Sequence, residues 1–285
     1  HVSHVEKAVA YIEKIRAERM TPDYADPQTT ATRQELNKPA VSLHAFYGLV
    51  PESISHEGYS AKPMHSYWDD FFVLKGLKDA AEMMRVLNRT EQAERYQKLA
   101  DDFARTLYES LEAARATHGI DYIPGCVEFG DFDATSTTMA LNPAQAVLPP
   151  GLLQATFERY WQEMSARSDG RRAWKDYTPY ELRTVGALTR LGQPERALAM
   201  LDFFFKDQRP PGWNQWAEVV LPNPREPRFL GDMPHAWVSS DYIRSALDLF
   251  AFDREADESL VIAGALVELI RWQVHTAIER RFGPE

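Results

Sequence analysis

The stretch Val73 to Ala116, "VLKGLKDAAEMMRVLNRTEQAERYQKLADDFARTLYESLEAARA", decides the fold class. Apolar residues return at i, i+3, i+4 and i+7 on both sides of a three-residue break, "NRT", and alternating apolar–polar runs are absent. That period is helical, and a break so short makes the two helices antiparallel neighbours. A helical hairpin is therefore expected, with the second helix plainly amphipathic and charged.

The same period extends outward in both directions, giving about eight helices. The first is expected over roughly Val5 to Met20, ahead of a polar, proline-bearing segment to about Met64. The second begins near Ser66, and the third covers Glu91 to Ala116. "GIDYIPGCVEFGDFD" reads as a loop with a short strand. Further helices are expected from Ala134, over Leu152 to Ser165, Pro179 to Leu191 and Pro194 to Phe205, and over Ala236 to Phe250. The segment between the last two is too rich in Pro to be helical, and "ESLVIAGAL" fits either a strand or a helix.

Long and short connections alternate along this order. Helices starting near Ser66, Ala134, Pro179 and Ala236 each follow a long loop, whereas links such as "LGQPE" are short. The starts are unevenly spaced, which argues against a solenoid of near-equal repeats. An α/α toroid of helical hairpins, its long loops gathered at one mouth, fits the alternation better. The expected fold class is mainly α, with a short β segment at the C-terminus. The expected division is residues 1–255 for the toroid and 256–285 for a tail.

Composition narrows the partners. The chain has 285 residues, a net charge of −10 and 44% hydrophobic residues, enough for a sizeable core. The acidic balance argues against nucleic acid or an anionic membrane surface as partner, and no apolar run is long enough to span a bilayer. The single cysteine, Cys126, excludes an internal disulfide and a multi-cysteine metal site. The opening "HVSHVEKAV" has neither an initiator Met nor a signal peptide, so a processed product, an excised fragment or part of a longer protein is expected; for a longer parent, a secreted or periplasmic location is expected.

Acids cluster in the long loops. Asp69 and Asp70 open the second helix, Glu128, Asp131 and Asp133 precede the fourth, Asp176 and Glu181 bracket the sixth, and Glu218 precedes the last. Asp133, in front of "TSTT", reads as a helix cap. Capping does not require the aromatics that surround the others. Tyr67 and Trp68 flank Asp69, Trp213, Asn214, Gln215 and Trp216 precede Glu218, Tyr180 adjoins Glu181, and His235 and Trp237 follow. Flat rings cover sugar C–H faces while carboxylates and amides bond the hydroxyls, so an oligo- or polysaccharide partner is expected.

Other chemistries fail on spacing. An Asp-rich metal motif lacks its third acid, since Val73 and Leu74 stand one turn on. No His-Glu-x-x-His helix, phosphate loop, dinucleotide fingerprint or Gly-x-Ser-x-Gly elbow occurs. No metal and no cofactor is expected, and carboxylate chemistry remains.

Two segments resemble the six-hairpin glycosidases, the (α/α)6-barrel class of glucoamylase, trehalase and α-L-rhamnosidase. "YWDDFF" is similar to the Trp-acid-acid segment that carries the general acid before the sixth barrel helix, its first acid matching Asp69. "WAEVV", with the later "DMPHAWVSSDYIRSAL", is similar to the loop before the twelfth helix, where the Glu of an Ala-Glu pair is the general base and matches Glu218. On this registration the first helix of the chain is the fifth of the barrel and Ala236 to Phe250 the twelfth. The resemblance therefore implies an incomplete barrel, with a β-rich appendage beginning at the tail. Glucoamylase has Glu at the position of Asp69, whereas trehalase-like and phosphorylase relatives use Asp; Asp70 stays open as the acid.

The activity implied is inverting glycoside hydrolysis, with an Asp acid and a Glu base about 6.5–9.5 Å apart. Tyr67, Trp68, Trp213, Trp216 and Trp237 would cover the sugar. Glu128, Asp131, Tyr180, Glu181, Asn214, Gln215 and His235 would contact its hydroxyls. Few Arg or Lys stand beside the two acids, so a neutral sugar is expected, with Lys175, Arg209 and Arg228 keeping an anionic one open. The alternatives are a polysaccharide lyase centred on "KDYTPYE" or "MPHAW", and a non-catalytic carbohydrate- or protein-binding helical scaffold.

Overall fold

In the computed structural model, residues 1–21, 34, 37–54, 62–226, 228 and 233–262 are described. The chain forms two compact units, His1–Thr156 and Phe157–Glu285. It is mainly helical with one small antiparallel sheet near the C-terminus.

Unit 1 is built on the expected hairpin. Helix α1 spans Val2–Ala17, α2 spans Tyr67–Val86 and α3 spans Thr90–His118. Asn88, in the short break, takes a left-handed φ of 56°, a conformation that Asn tolerates and that reverses the chain. The seam is read directly from the period: Phe71, Leu74, Leu77, Ala81 and Met84 on α2, and Tyr96, Ala100, Phe103, Leu107 and Leu111 on α3, are all buried. Each large side chain so buried contributes about 1.5–3 kcal/mol. Arg16 ties α1 to this hairpin. Its Nε donates to Gly48 O at 2.7 Å and its Nη2 to Thr106 Oγ1 at 3.2 Å, with the guanidinium 5.0 Å above the Phe103 ring. Gly48 has φ 77°, and a Cβ there would stand 2.9 Å from Thr106, so only glycine lets the loop approach α3 this closely.

The helix expected from Ala134 is the main departure in unit 1. Helix α4 spans only Ala134–Thr137 and tightens into a 3-10 turn over Thr138–Ala140. Asp133 caps it as expected, its Oδ1 accepting from Thr135 N and Ser136 N at 3.0 and 3.2 Å. Thr137 and Thr138 hydroxyls bond back to carbonyls three and four residues earlier, and the proline of the cis Asn142–Pro143 peptide has no N–H to extend the ladder. The short strand expected in "GIDYIPGCVEFGDFD" is an isolated bridge, Ser66 with Cys126.

The boundary between the units falls within α5, Pro150–Ser168. In unit 2 the helix expected from Pro179 begins as a 3-10 turn over Pro179–Leu182 before α6, Arg183–Arg190. Helix α7 follows over Pro194–Lys206 and α8 over Ala236–Phe250, and the described residues between them, 207–226, 228 and 233–235, are non-helical, as the prolines there require. Helices α6 and α8 are joined by two buried ion pairs one heptad apart. Arg183 Nε meets Asp241 Oδ2 at 2.7 Å, and Arg190 holds both oxygens of Asp248 at 2.8 and 3.0 Å. Between them sits Gly186, where a Cβ would be 2.9 Å from Asp248 Oδ2.

Strand β1, Ala251–Arg254, pairs antiparallel with β2, Ser259–Ile262, placing Ala251 opposite Ile262. The "SLVI" part of the ambiguous "ESLVIAGAL" is thus a strand, and "AGAL" onward lies outside the described residues. The hairpin straddles the division expected at residue 255.

Candidate functional site

In unit 1 three chain segments meet at the head of α2. Ser53 bridges Met64, with both N–H···O bonds at 2.9 Å, and Ser66 bridges Cys126, with Tyr67 N donating to Gly125 O at 3.0 Å and Val127 N to His65 O at 3.1 Å. This pairing brings Glu52, Ser53, His65 and Glu128 beside the two acids of "YWDDFF".

Asp69 and Asp70 differ sharply in environment. A helix rotates about 100° per residue, so neighbours face different ways. Asp69 is half-buried and accepts a short bond from the Ser53 hydroxyl. Asp70 is fully buried; its Oδ1 accepts from Val50 N at 3.1 Å, while its Oδ2 has no hydrogen-bond partner. Burial, against the single bond from Val50 and with Asp69 adding repulsion, pushes the Asp70 carboxyl up to about 8. Asp70 is therefore neutral at pH 7. The N-cap residue of α2, Ser66, makes no side-chain cap bond.

His65 lies behind this pair. Glu128, itself fully buried, accepts from His65 N at 3.1 and 3.2 Å and meets Nδ1 at 2.7 Å, while Nε2 is 3.8 Å from Glu52. Burial lowers the imidazole pKa, but the bond and charge of Glu128, with Glu52 and Asp70, outweigh it and the net shift is upward. Glu128 is thus occupied by His65. Asp131 accepts from Cys126 N and Sγ at 3.2 and 3.3 Å and shapes the loop. Among the described residues no group of three or more His, Cys, Asp or Glu side chains is arranged to hold a metal ion.

In unit 2 a second cluster surrounds Glu218. Val220 pairs with Tyr177 through bonds of 2.9 and 3.2 Å, and Thr178 Oγ1 donates to Glu218 O at 2.7 Å. These contacts hold the Glu218 backbone beside the 3-10 turn that carries Tyr180. The Glu218 side chain is half-buried, and among the described residues no group bonds its carboxylate. Tyr180 Oη lies 2.7 Å from His235 Nε2, and its ring packs edge-on to Trp237 at 5.4 Å, below the Arg183 guanidinium at 4.5 Å. Gln215 Oε1 accepts from Ser239 Oγ at 3.1 Å. Trp213 and Asn214 are exposed at a turn where Asn214 takes φ 53°, and Trp237 is exposed in the first turn of α8.

Several expected sugar contacts are placed in the core instead. Tyr67 is fully buried with its hydroxyl 2.8 Å from Ser110, and burial raises its pKa well above the usual phenol range. Trp68 is buried against Phe72, with ring centroids 5.1 Å apart. Trp216 is 4% exposed and donates from Nε1 to Phe204 O at 2.8 Å, pinning its loop to α7. Glu181 is clamped by Arg167 at 3.0 and 2.5 Å and by the Tyr160 hydroxyl at 2.5 Å, so its oxygens serve the interior. In each case an aromatic or acid near a helix start was needed by packing, which its sequence neighbours do not reveal. Glu52, Ser53 and His65 were missed; His65 stands two residues before "YWDDFF", but Glu52 lies outside any recognisable pattern.

Searches against family models, curated proteins and solved structures return no match for this chain. Among the described residues no helix is long and apolar enough to cross a membrane.

Proposed function

We propose that this chain carries the catalytic region of an inverting glycoside hydrolase acting on an oligo- or polysaccharide. The observation that carries the reading is the unequal pair at the head of α2: one carboxyl held neutral at pH 7, and beside it a half-buried one. A neutral Asp70 leaves Asp69 as the one acid of the pair that reaches solvent, and environments that set neighbouring carboxyls apart are a hallmark of sites that cleave glycosides.

In the proposed mechanism Asp69, the member with access to solvent, takes up a proton as the substrate displaces water from it and passes that proton to the glycosidic oxygen as the bond from the anomeric carbon breaks. Glu218 draws a proton from a water whose oxygen bonds to that carbon from the opposite face. Asp70 acts as a neutral positioning residue, adding no second charge beneath Asp69. Trp213 and Trp237 offer exposed faces for the sugar, and Asn214, Gln215 and His235 offer hydroxyl partners. The helical hairpin within each unit fits the hairpin-built parent architecture that the resemblance implies.

The test is release of reducing ends from a glycan panel, with the product anomer read by NMR. Asp69→Asn and Glu218→Gln are each expected to reduce turnover by about 10²–10⁴-fold with the fold intact. Turnover unchanged in both variants would refute the reading. The Tyr180–His235 contact of 2.7 Å under Arg183 favours one rival, a lyase in which Tyr180 abstracts the proton. Loss of activity in Tyr180→Phe, with an unsaturated product absorbing near the ultraviolet edge and both carboxylate variants active, selects that rival.

A further inference from the structure

In unit 2 an open pocket of about 260 Å³ is lined by Arg167, Arg172, Trp174 and Lys175, with Glu163 and Asp176 at its wall, next to the pairing of Tyr177 with Val220. The surroundings are cationic in a chain whose net charge is −10. Each acid there is already engaged. Glu163 is met by Arg172 at 3.1 Å and Arg159 at 3.4 Å, Asp176 by Arg228 at 3.7 Å, and Glu181 takes the two terminal nitrogens of Arg167. Arg167 Nε is buried and has no hydrogen-bond partner, and among the described residues no acid pairs with the exposed Lys175. Trp174 is half-buried, edge-on to Tyr177 at 5.4 Å and carrying Arg209 at 5.6 Å, so its ring is fixed before any ligand arrives.

We infer that this pocket binds a single sugar ring bearing an oxyanion substituent, a carboxylate or a sulfate ester. Its volume lies just under the usual range of about 300–1,000 Å³ for small-molecule sites, which admits one ring and not a chain. Arg172 and Lys175 supply the charge, the buried Arg167 Nε supplies an unmet donor, and Trp174 supplies a ring face or edge for the sugar C–H groups. The sequence offered Lys175 as a cation for an anionic sugar but not its grouping with Arg167 and Arg172. Arg167 is on α5, and Arg172 and Lys175 are in the loop after it.

Calorimetric titration of the full chain with glucuronate, glucose 6-sulfate, glucose and inorganic sulfate tests the site. Glucuronate or glucose 6-sulfate is expected to bind at least tenfold tighter than glucose, and the better of the two identifies the substituent. Lys175→Gln and Arg172→Gln change exposed side chains without disturbing the core, and each is expected to weaken that binding about fivefold or more. Trp174→Ala is expected to weaken it as well, whereas Asp69→Asn leaves it unchanged, which separates this site from the hydrolase reading. Equal affinity for glucose, inorganic sulfate binding as tightly as the sugar anion, no binding of either sugar anion at millimolar concentration, or indifference to Lys175→Gln would each overturn the inference.

Discussion

Asp70→Asn should make the protein more stable, by an amount that depends on pH. Asp70 titrates near 8 in the folded chain against 3.8 for the ordinary carboxyl. Between these values the folded state holds a proton that the unfolded state releases, so this group makes stability fall as pH rises. The slope is about 1.4 kcal/mol per pH unit. Asn resembles the neutral carboxyl in shape, keeps an oxygen for Val50 N, and titrates in neither state. The substitution is therefore worth about 4 kcal/mol at pH 7, under about 1 kcal/mol at pH 4, and no more than about 6 kcal/mol above pH 8, where Asp70 ionises in the folded chain too. Urea unfolding of both proteins at several pH values between 4 and 8.5 measures the difference directly. A difference independent of pH, or a variant less stable at pH 7, would refute the claim that Asp70 is held neutral. If Asp70 acts only as a neutral positioning residue, the same variant should keep its turnover while gaining stability, since Asn preserves both the shape and the oxygen for Val50 N.

Four further outcomes follow from the packing. Asp241→Asn leaves the buried Arg183 charge without its partner and should cost about 3–5 kcal/mol in urea unfolding, whereas replacing both residues with Leu should cost markedly less. Gly186→Ala should destabilise by about 1–3 kcal/mol because the added methyl meets Asp248. Gly76→Ala, on α2 with nothing within 4 Å of the added carbon, should stabilise by about 0.5–1 kcal/mol. Asp133→Ala removes the cap of α4 and should cost about 0.5–2 kcal/mol by the same assay.

The helices and their breaks were legible because their causes are local. The α2–α3 seam is a period-3.6 pattern, Asn88 and Gly192 mark reversals that need left-handed backbone, and Asp133 precedes hydroxyl residues as a cap does. Where competing local bonds were at work, the reading overshot: the Thr run, with hydroxyls bonded back to earlier carbonyls, left α4 with a single turn. The acids were found by type and by their aromatic neighbours. Their roles were not, since a motif two residues wide gives Asp69 and Asp70 the same surroundings.

By itself the sequence determined the mainly helical class, the hairpin of α2 and α3, the non-helical run before α8 and the acidic character that disfavours nucleic acid. Each follows from spacing, proline content or charge along the chain. Only the tertiary structure decided which acid is sealed and which is open, because burial depends on segments brought from elsewhere: the loop at Val50 and Ser53 meets the first turn of α2, and Glu128 arrives to hold His65. It also decided that Tyr67 and Trp216 are core while Trp213 and Trp237 stay exposed, since one aromatic ring differs from another only by what packs against it.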